Sequence, residues 1–197
     1  EGGRQPMADA SGRFHLVFNG EIYNYLELRS ELQSLGEAFV SRSDSEVLLR
    51  AYMVWGEDCL PRLRGMFAFL IWDAQSNTLF AARDRYGIKP LYLSGDSMNG
   101  GRAIAFASEI KQLLGLPGIT GRMNIARAHD FLANGISDHT GETLFDGVRQ
   151  LRGGECATVR TRSGRPELDI RRWHSTAAGD LGLTETEAKQ RFRDLLS

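Results

Sequence analysis

Cysteine is scarce: the 197-residue chain holds two, Cys59 and Cys156. Two cysteines make neither a disulfide framework nor a thiolate metal site. They suit a reducing, cytoplasmic compartment. Histidine is nearly as sparse, and His15, His129, His139 and His174 show no ligand spacing, so no metal is expected. An excess of charge of one sign is also lacking. With 24 Lys and Arg against 25 Asp and Glu, the net charge of −1 leaves no electrostatic footprint for nucleic acid or an anionic membrane. The longest apolar run, Met66 to Trp72, is too short to span a bilayer. No signal peptide is visible. No internal repeat is visible, and no glycine-rich phosphate loop follows a strand.

What is present is ordinary globular composition, 42% hydrophobic and 25% charged, which is enough to bury a core. Both ends read as cut. The chain opens "EGGRQPM" without an initiator Met and closes at Ser197 inside a helical pattern.

The periodicity predicts a central strand at Phe14 to Phe18 and a helix from Ile22 to Leu35, with Tyr25, Leu28, Leu32 and Leu35 on its buried face. A short strand is expected at Ala38 to Val40. Ser43 and Glu46 form a capping box that opens a second helix, buried through Val47, Leu48, Ala51 and Trp55 and stopped at Gly56. Met66 to Trp72 and Thr78 to Ala82 read as strands joined at "DAQSN". Leu91 to Leu93 and Ala103 to Ala107 form a further pair, around a Gly- and Ser-rich hairpin. A short helix at Glu109 to Leu114 and an Asn124-capped helix to about Ala133 follow. A late hairpin pairs Glu155–Arg160 with Leu168–Trp173 around "RSGRP". Residues 177–183 read as a linker, and 184–197 as a helix of a further domain. Strands in hairpin-like pairs and helices in blocks argue for an α+β sandwich of antiparallel sheets.

The sequence "LVFNGEIYNY" sets an amide, a bare backbone and a carboxylate side by side at Asn19, Gly20 and Glu21. An amide hydrolase needs two fixed donors for the oxyanion of its tetrahedral intermediate, and an Asn side chain with a neighbouring backbone N–H supplies them. Glu21 and Asp44 would suit the α-ammonium of an amino-acid substrate. Each residue also has a structural reading: Asn-Gly is a common tight turn, Glu favours a helix start and Asp44 suits a helix cap. The charged run Arg83, Asp84, Arg85 reads as a structural ion-pair cluster, "YGIKP" as a turn with Pro90 starting a strand, and Cys59 and Cys156 as packed residues.

Five ordered motifs then change the reading: "NGEIYNYLELR" from Asn19, "SDSEVLL" from Ser43, "LRGMFAFLIWD" from Leu63, "RDRYGIKPLY" from Arg83 and "ASEIKQLL" from Ala107. Together they closely resemble the class II glutamine amidotransferase (glutaminase) domain of glutamine-hydrolysing asparagine synthases. "TLFDGVRQLRGGECATV" from Thr143 resembles the end of that domain. The resemblance implies an N-terminal-nucleophile fold, a four-layer αββα sandwich over residues 1–176. It implies glutamine as substrate, hydrolysed to glutamate and ammonia for ATP-dependent amidation of aspartate. Asn19 and Gly20 match the oxyanion hole and, with Glu21 and Asp44, the substrate-binding set. ATP and Mg²⁺ belong to a synthetase domain outside this sequence, the expected partner, and a homodimer is left open.

There are departures. The family's nucleophile is an N-terminal cysteine, whereas residue 1 is Glu1. The "RGPD" motif for the substrate carboxylate is not in the sequence, and Arg152-Gly153 stands where the family usually has "LPPG". The alternatives are an asparagine-synthase-like or lactam-forming enzyme of a biosynthetic cluster, and a degenerate glutamine-binding module without catalysis.

Overall fold

The computed structural model describes residues 4–95, 103–162, 164–176 and 182–196. Six strands form the first sheet, in the order β1 (Met7–Ala8), β2 (Phe14–Ile22), β3 (Gly65–Asp73), β4 (Thr78–Arg83), β8 (Glu155–Arg162) and β9 (Arg165–Arg172), every pairing antiparallel. The second sheet has β5 (Tyr92–Ser94) between β6 (Ala105–Ala107) and β7 (Val148–Gln150), also antiparallel.

The period-2 alternation divides the first sheet into two faces. Leu16, Phe18, Ile22, Phe67, Phe69, Ile71, Phe80, Ala82 and Cys156 pack with helices α1 (Tyr25–Ser34) and α2 (Asp44–Trp55). On the opposite face Ala68, Ala81 and Ala157 meet Leu93 of the second sheet and Leu91 just before β5. Alanines there let the two sheets close on each other. Helix α3 (Ile110–Leu114) packs on β5 and β6 of the second sheet, α4 (Ile125–Asn134) follows it in the chain, and α5 (Glu185–Leu196) ends the described chain. The chain is thus an antiparallel α+β sandwich, with α1 and α2 on the outer face of the first sheet and α3 against the second.

Several expectations are corrected. Strand β2 runs four residues past Phe18 and takes Ile22 from the expected helix, so α1 begins at Tyr25. It is not central: only Met7–Ala8 pairs outside it, and Val17 is 47% exposed. Leu28 and Leu32 are buried as expected, but Leu35 lies past the end of α1 and is exposed. No strand forms at 38–40, because the Glu46 carboxylate takes the backbone N–H groups of Val40 (2.8 Å) and Ser41 (2.6 Å). The capping box holds only in its Ser43 half, whose Oγ accepts from Glu46 N at 3.2 Å. Pro90 precedes β5 and does not start it. The tip of the β5–β6 hairpin, 96–102, and linker residues 177–181 lie outside the described residues.

The Arg83-Asp84-Arg85 run is not an ion-pair cluster. Among the described residues no salt bridge joins the three; each binds backbone instead. Asp84 is 1% exposed. Its carboxylate accepts from four main-chain N–H groups, those of Phe67 (3.2 Å) and of Tyr86, Ile88 and Lys89 (3.0 Å each). Arg83 donates to the carbonyls of Lys89 (2.6 Å), Gly87 (2.6 Å) and Leu151 (2.6 Å). Arg85 donates to Leu63 O and Pro61 O. Three charges thereby fix the turn between β4 and β5, where a loop's backbone polar groups would otherwise lack partners.

Candidate active site

Asn19, Gly20 and Glu21 sit inside β2, opposite Ala68, Phe67 and Met66 of β3. The tight-turn reading of Asn-Gly therefore falls. Gly20 is needed for a different reason. Its φ is +152°, and a Cβ there would lie 2.2 Å from Met66 O and 2.7 Å from Phe67 Cα. Gly65 mirrors it across the pair: its φ is +159° and its Cβ would lie 2.1 Å from Glu21 O. The two main chains approach more closely than any side-chain-bearing residues allow.

On the outer edge of β2, Gln5 substitutes for a strand. Its Nε2 donates to Phe18 O at 2.7 Å and its Oε1 accepts from Phe18 N at 2.7 Å. Two residues beyond Gly20, Ile22 N donates to Asp44 Oδ2 at 3.1 Å. Backbone groups alternate between the two sides of a strand, so the Gly20 N–H points to this same outer edge, between Gln5 and Asp44.

Asp44 is the first residue of α2, and its cap is Ser43. The capping reading of Asp44 is therefore replaced: its carboxylate reaches across to β2 and meets the N–H of the residue after Glu21. The consecutive Asn19, Gly20 and Glu21 on β2 thus share one rim with the sequence-distant Asp44, which bonds to Ile22 at the strand's end. Glu21 is exposed. The Asn19 side chain lies on the second-sheet face, beside a cleft of about 410 Å³ walled by Val17, Ala68, Phe106, Ser108 and Leu113. Its Nδ2 donates to Ser108 Oγ at 3.4 Å, a long contact that leaves the amide's second hydrogen free. Sequence reasoning assigned no role to Gln5 or Ser108. Ser108 lies in a noticed motif, but pairing of a side-chain amide with a strand, as at Gln5, has no sequence signature.

Neither cysteine belongs to the rim. Both are fully buried, and burial pushes the Cys59 thiol up to about 12 and that of Cys156 up to about 11. At pH 8 roughly one thiol in 10⁴ and one in 10³ would be ionised, and the thiolate is the reactive form. This chain, folded, is therefore expected to resist a thiol-reactive dye at pH 8 and to take up two equivalents once denatured. Fast labelling of the folded chain would refute that. Among the described residues no group of three or more His, Cys, Asp and Glu could hold a metal ion. No helix among them is long and apolar enough to cross a membrane.

Known proteins similar to this chain point to one family. The glutamine amidotransferase domain family matches residues 1–170. Asparagine synthetase (glutamine-hydrolyzing) 3 of Bacillus subtilis is 41% identical over 160 residues, covering 80% of this chain and 25% of that protein. A putative asparagine synthetase (glutamine-hydrolyzing) of Mycobacterium bovis is 44% identical over 165 residues, covering 81% and 24%. Amidase chry2 of Gibberella zeae is 36% identical over 158 residues, covering 80% and 22%. The chain spans about a quarter of the length of these curated relatives. Among solved structures, the glutamine phosphoribosylpyrophosphate amidotransferase of B. subtilis superposes with a TM-score of 0.57 at 22% identity, over 87% of this chain and 32% of that one. That likeness speaks to the fold alone, a sandwich of antiparallel sheets and helices. Motifs, fold and a match over residues 1–170 agree, and the chain belongs to the glutamine amidotransferase domain family.

Proposed function

We propose that this domain hydrolyses glutamine to glutamate and ammonia inside a longer, asparagine-forming enzyme. The observation that supports the reading is that Asn19 and Gly20 are consecutive on β2 and that Asp44 bonds to Ile22 N two residues farther along the same strand. As a nucleophile attacks the glutamine side-chain amide, negative charge collects on the former carbonyl oxygen. The Asn19 Nδ2 hydrogen and the Gly20 N–H are the pair of fixed donors for it. Glu21 and Asp44 hold the α-ammonium and so select a free amino acid over a peptide. Cys59 and Cys156 are too buried to attack. The nucleophile is proposed to be the N-terminal cysteine that the family resemblance implies, so residues 1–197 alone are proposed to be inactive. ATP and Mg²⁺ would serve a synthetase domain, of which α5 is proposed to be the first helix.

Replacing Asp44 with Asn tests the reading. The asparagine oxygen keeps the acceptor for Ile22 N–H, and Ser43 still caps α2, so the fold loses little. The ammonium loses one charge-assisted contact, roughly 1.5–3 kcal/mol. In the full-length enzyme kcat/KM for glutamine should then fall roughly ten- to a hundredfold, while the ammonia-dependent reaction stays nearly unchanged. Equal damage to both reactions, or no change in either, would remove Asp44 from the substrate site. The likeness to an amidase favours a second reading, an asparagine-synthase-like enzyme acting on another carboxylate. Product analysis of the full-length enzyme, with aspartate as the only acceptor, separates the two.

A further inference from the structure

A second cleft, of about 470 Å³, shares no lining residue with the cleft beside Asn19. Its walls carry Arg83, Arg85, Arg152, Arg172 and His174, with Asp138 as the one acidic lining residue. Arg83 and Arg85 are committed to main-chain carbonyls, as described above. The others are not. The half-buried Arg152 guanidinium has no hydrogen bond or ion pair among the described residues. Arg172 meets Glu155 only at 3.7 Å. His174 Nε2 is buried without a hydrogen-bond partner. Among the described residues Asp138 forms no ion pair with Arg152 or Arg172; its carboxylate accepts from Ser137 Oγ (3.0 Å) and Gln150 Nε2 (3.4 Å). Glu155 also accepts from Arg152 N at 2.8 Å.

The floor of the cleft is main chain. A Cβ on Gly153 would sit 2.7 Å from Gly87 N and 2.7 Å from Tyr86 C, so the Arg152-Gly153 step lies directly on the turn that Asp84 and Arg83 fix. Arg152 is therefore presented from a rigid base. Arg152-Gly153 is also the pair by which the sequence departs from its family's usual proline-rich loop, and glutamine hydrolysis gives that departure no role.

We propose that this cleft binds the phosphate group of a phosphorylated small molecule. Leaving the buried His174 Nε2 without a partner is costly, and an oxyanion in this cleft would give it one beside the half-buried Arg152 and the exposed Arg172. The two guanidiniums come from different segments and the third group is a ring nitrogen. Two guanidinium forks and a ring nitrogen offer more donors than the two oxygens of a carboxylate would take up, and a phosphate oxyanion suits them better. The cleft is far larger than one phosphate, within the range of small-molecule sites, which leaves room for an organic moiety.

The test is calorimetric titration of the full-length protein in phosphate-free buffer, with chloride holding ionic strength constant. Inorganic phosphate and glycerol 3-phosphate are the two probes. Saturable binding of either is expected, and tighter binding of the ester identifies an organic phosphate as the ligand. Arg152→Gln should weaken binding at least tenfold, and Arg152→Gln with Arg172→Gln should abolish it. Glutamine hydrolysis without phosphate should be unchanged, so failure here is distinguishable from failure of the glutaminase reading. If the double variant does not fold, Arg152→Lys, which keeps the charge and loses the fork, should still weaken binding severalfold. Binding of neither probe, or equal binding by wild type and variants, overturns the proposal.

Discussion

Asn19→Ala in the full-length enzyme is expected to lower kcat for glutamine hydrolysis about 10²–10³-fold, some 2.7–4 kcal/mol of transition-state stabilisation, with a much smaller change in KM. The asymmetry follows from when the amide matters. The substrate carbonyl asks little of a hydrogen-bond donor, whereas the oxyanion asks a great deal. Stability should scarcely move, because the one described side-chain contact of Asn19 is the 3.4 Å bond to Ser108. The fingerprint therefore differs from that of Asp44→Asn, which acts on the bound ammonium. Steady-state kinetics with glutamine and with ammonia, beside a thermal melt, decide the matter. A loss of kcat below tenfold, or an equal loss with ammonia, would remove Asn19 from the oxyanion site.

The second large effect is on stability. Asp84→Ala should destabilise the domain by roughly 4 kcal/mol or more, above the ordinary range for point substitutions. That corresponds to a fall in melting temperature of roughly 8–16 °C for a domain of this size. Four main-chain N–H groups lose one shared acceptor at a position 1% exposed, where water cannot replace it. Asp84→Asn should be nearly as damaging, since its NH₂ would face two of those N–H groups. A fall of less than about 3 °C for Asp84→Ala in differential scanning calorimetry would show that the turn finds other acceptors.

Much of the scaffold was legible because it follows from local pattern. The β3–β4 and β8–β9 hairpins, the Ser43 and Asn124 caps and the short helix after Glu109 lie where alternation and capping chemistry place them. What escaped was decided by contacts between distant segments. Asn19-Gly20 prefers a turn in isolation, but Gly65 across the pair lets β2 continue as strand. Ala38 to Val40 has strand composition, yet Glu46 claims its backbone. At 83–85 the sequence displays charges and hides the main-chain groups that converge on them. The rim was legible only in part. Asn19, Gly20 and Glu21 are visible as a polar trio, but the reach of Asp44 to Ile22 is a tertiary fact, and the family motifs raised it above a helix-start residue.

The reciprocal glycine contact between β2 and β3 has a bearing on how this site can drift over generations. Met66 O occupies the space of the absent Gly20 side chain, and Glu21 O that of Gly65, so main chain rests on main chain. Neighbouring side chains such as Met66 or Ile22 can be exchanged without resetting that spacing, whereas either glycine can change only at the cost of the pairing. The direction of the Gly20 N–H is therefore insulated from most of the mutational traffic around it. Two inconspicuous residues, neither bearing a side chain of its own, would hold the proposed oxyanion edge constant while the surrounding surface is rewritten.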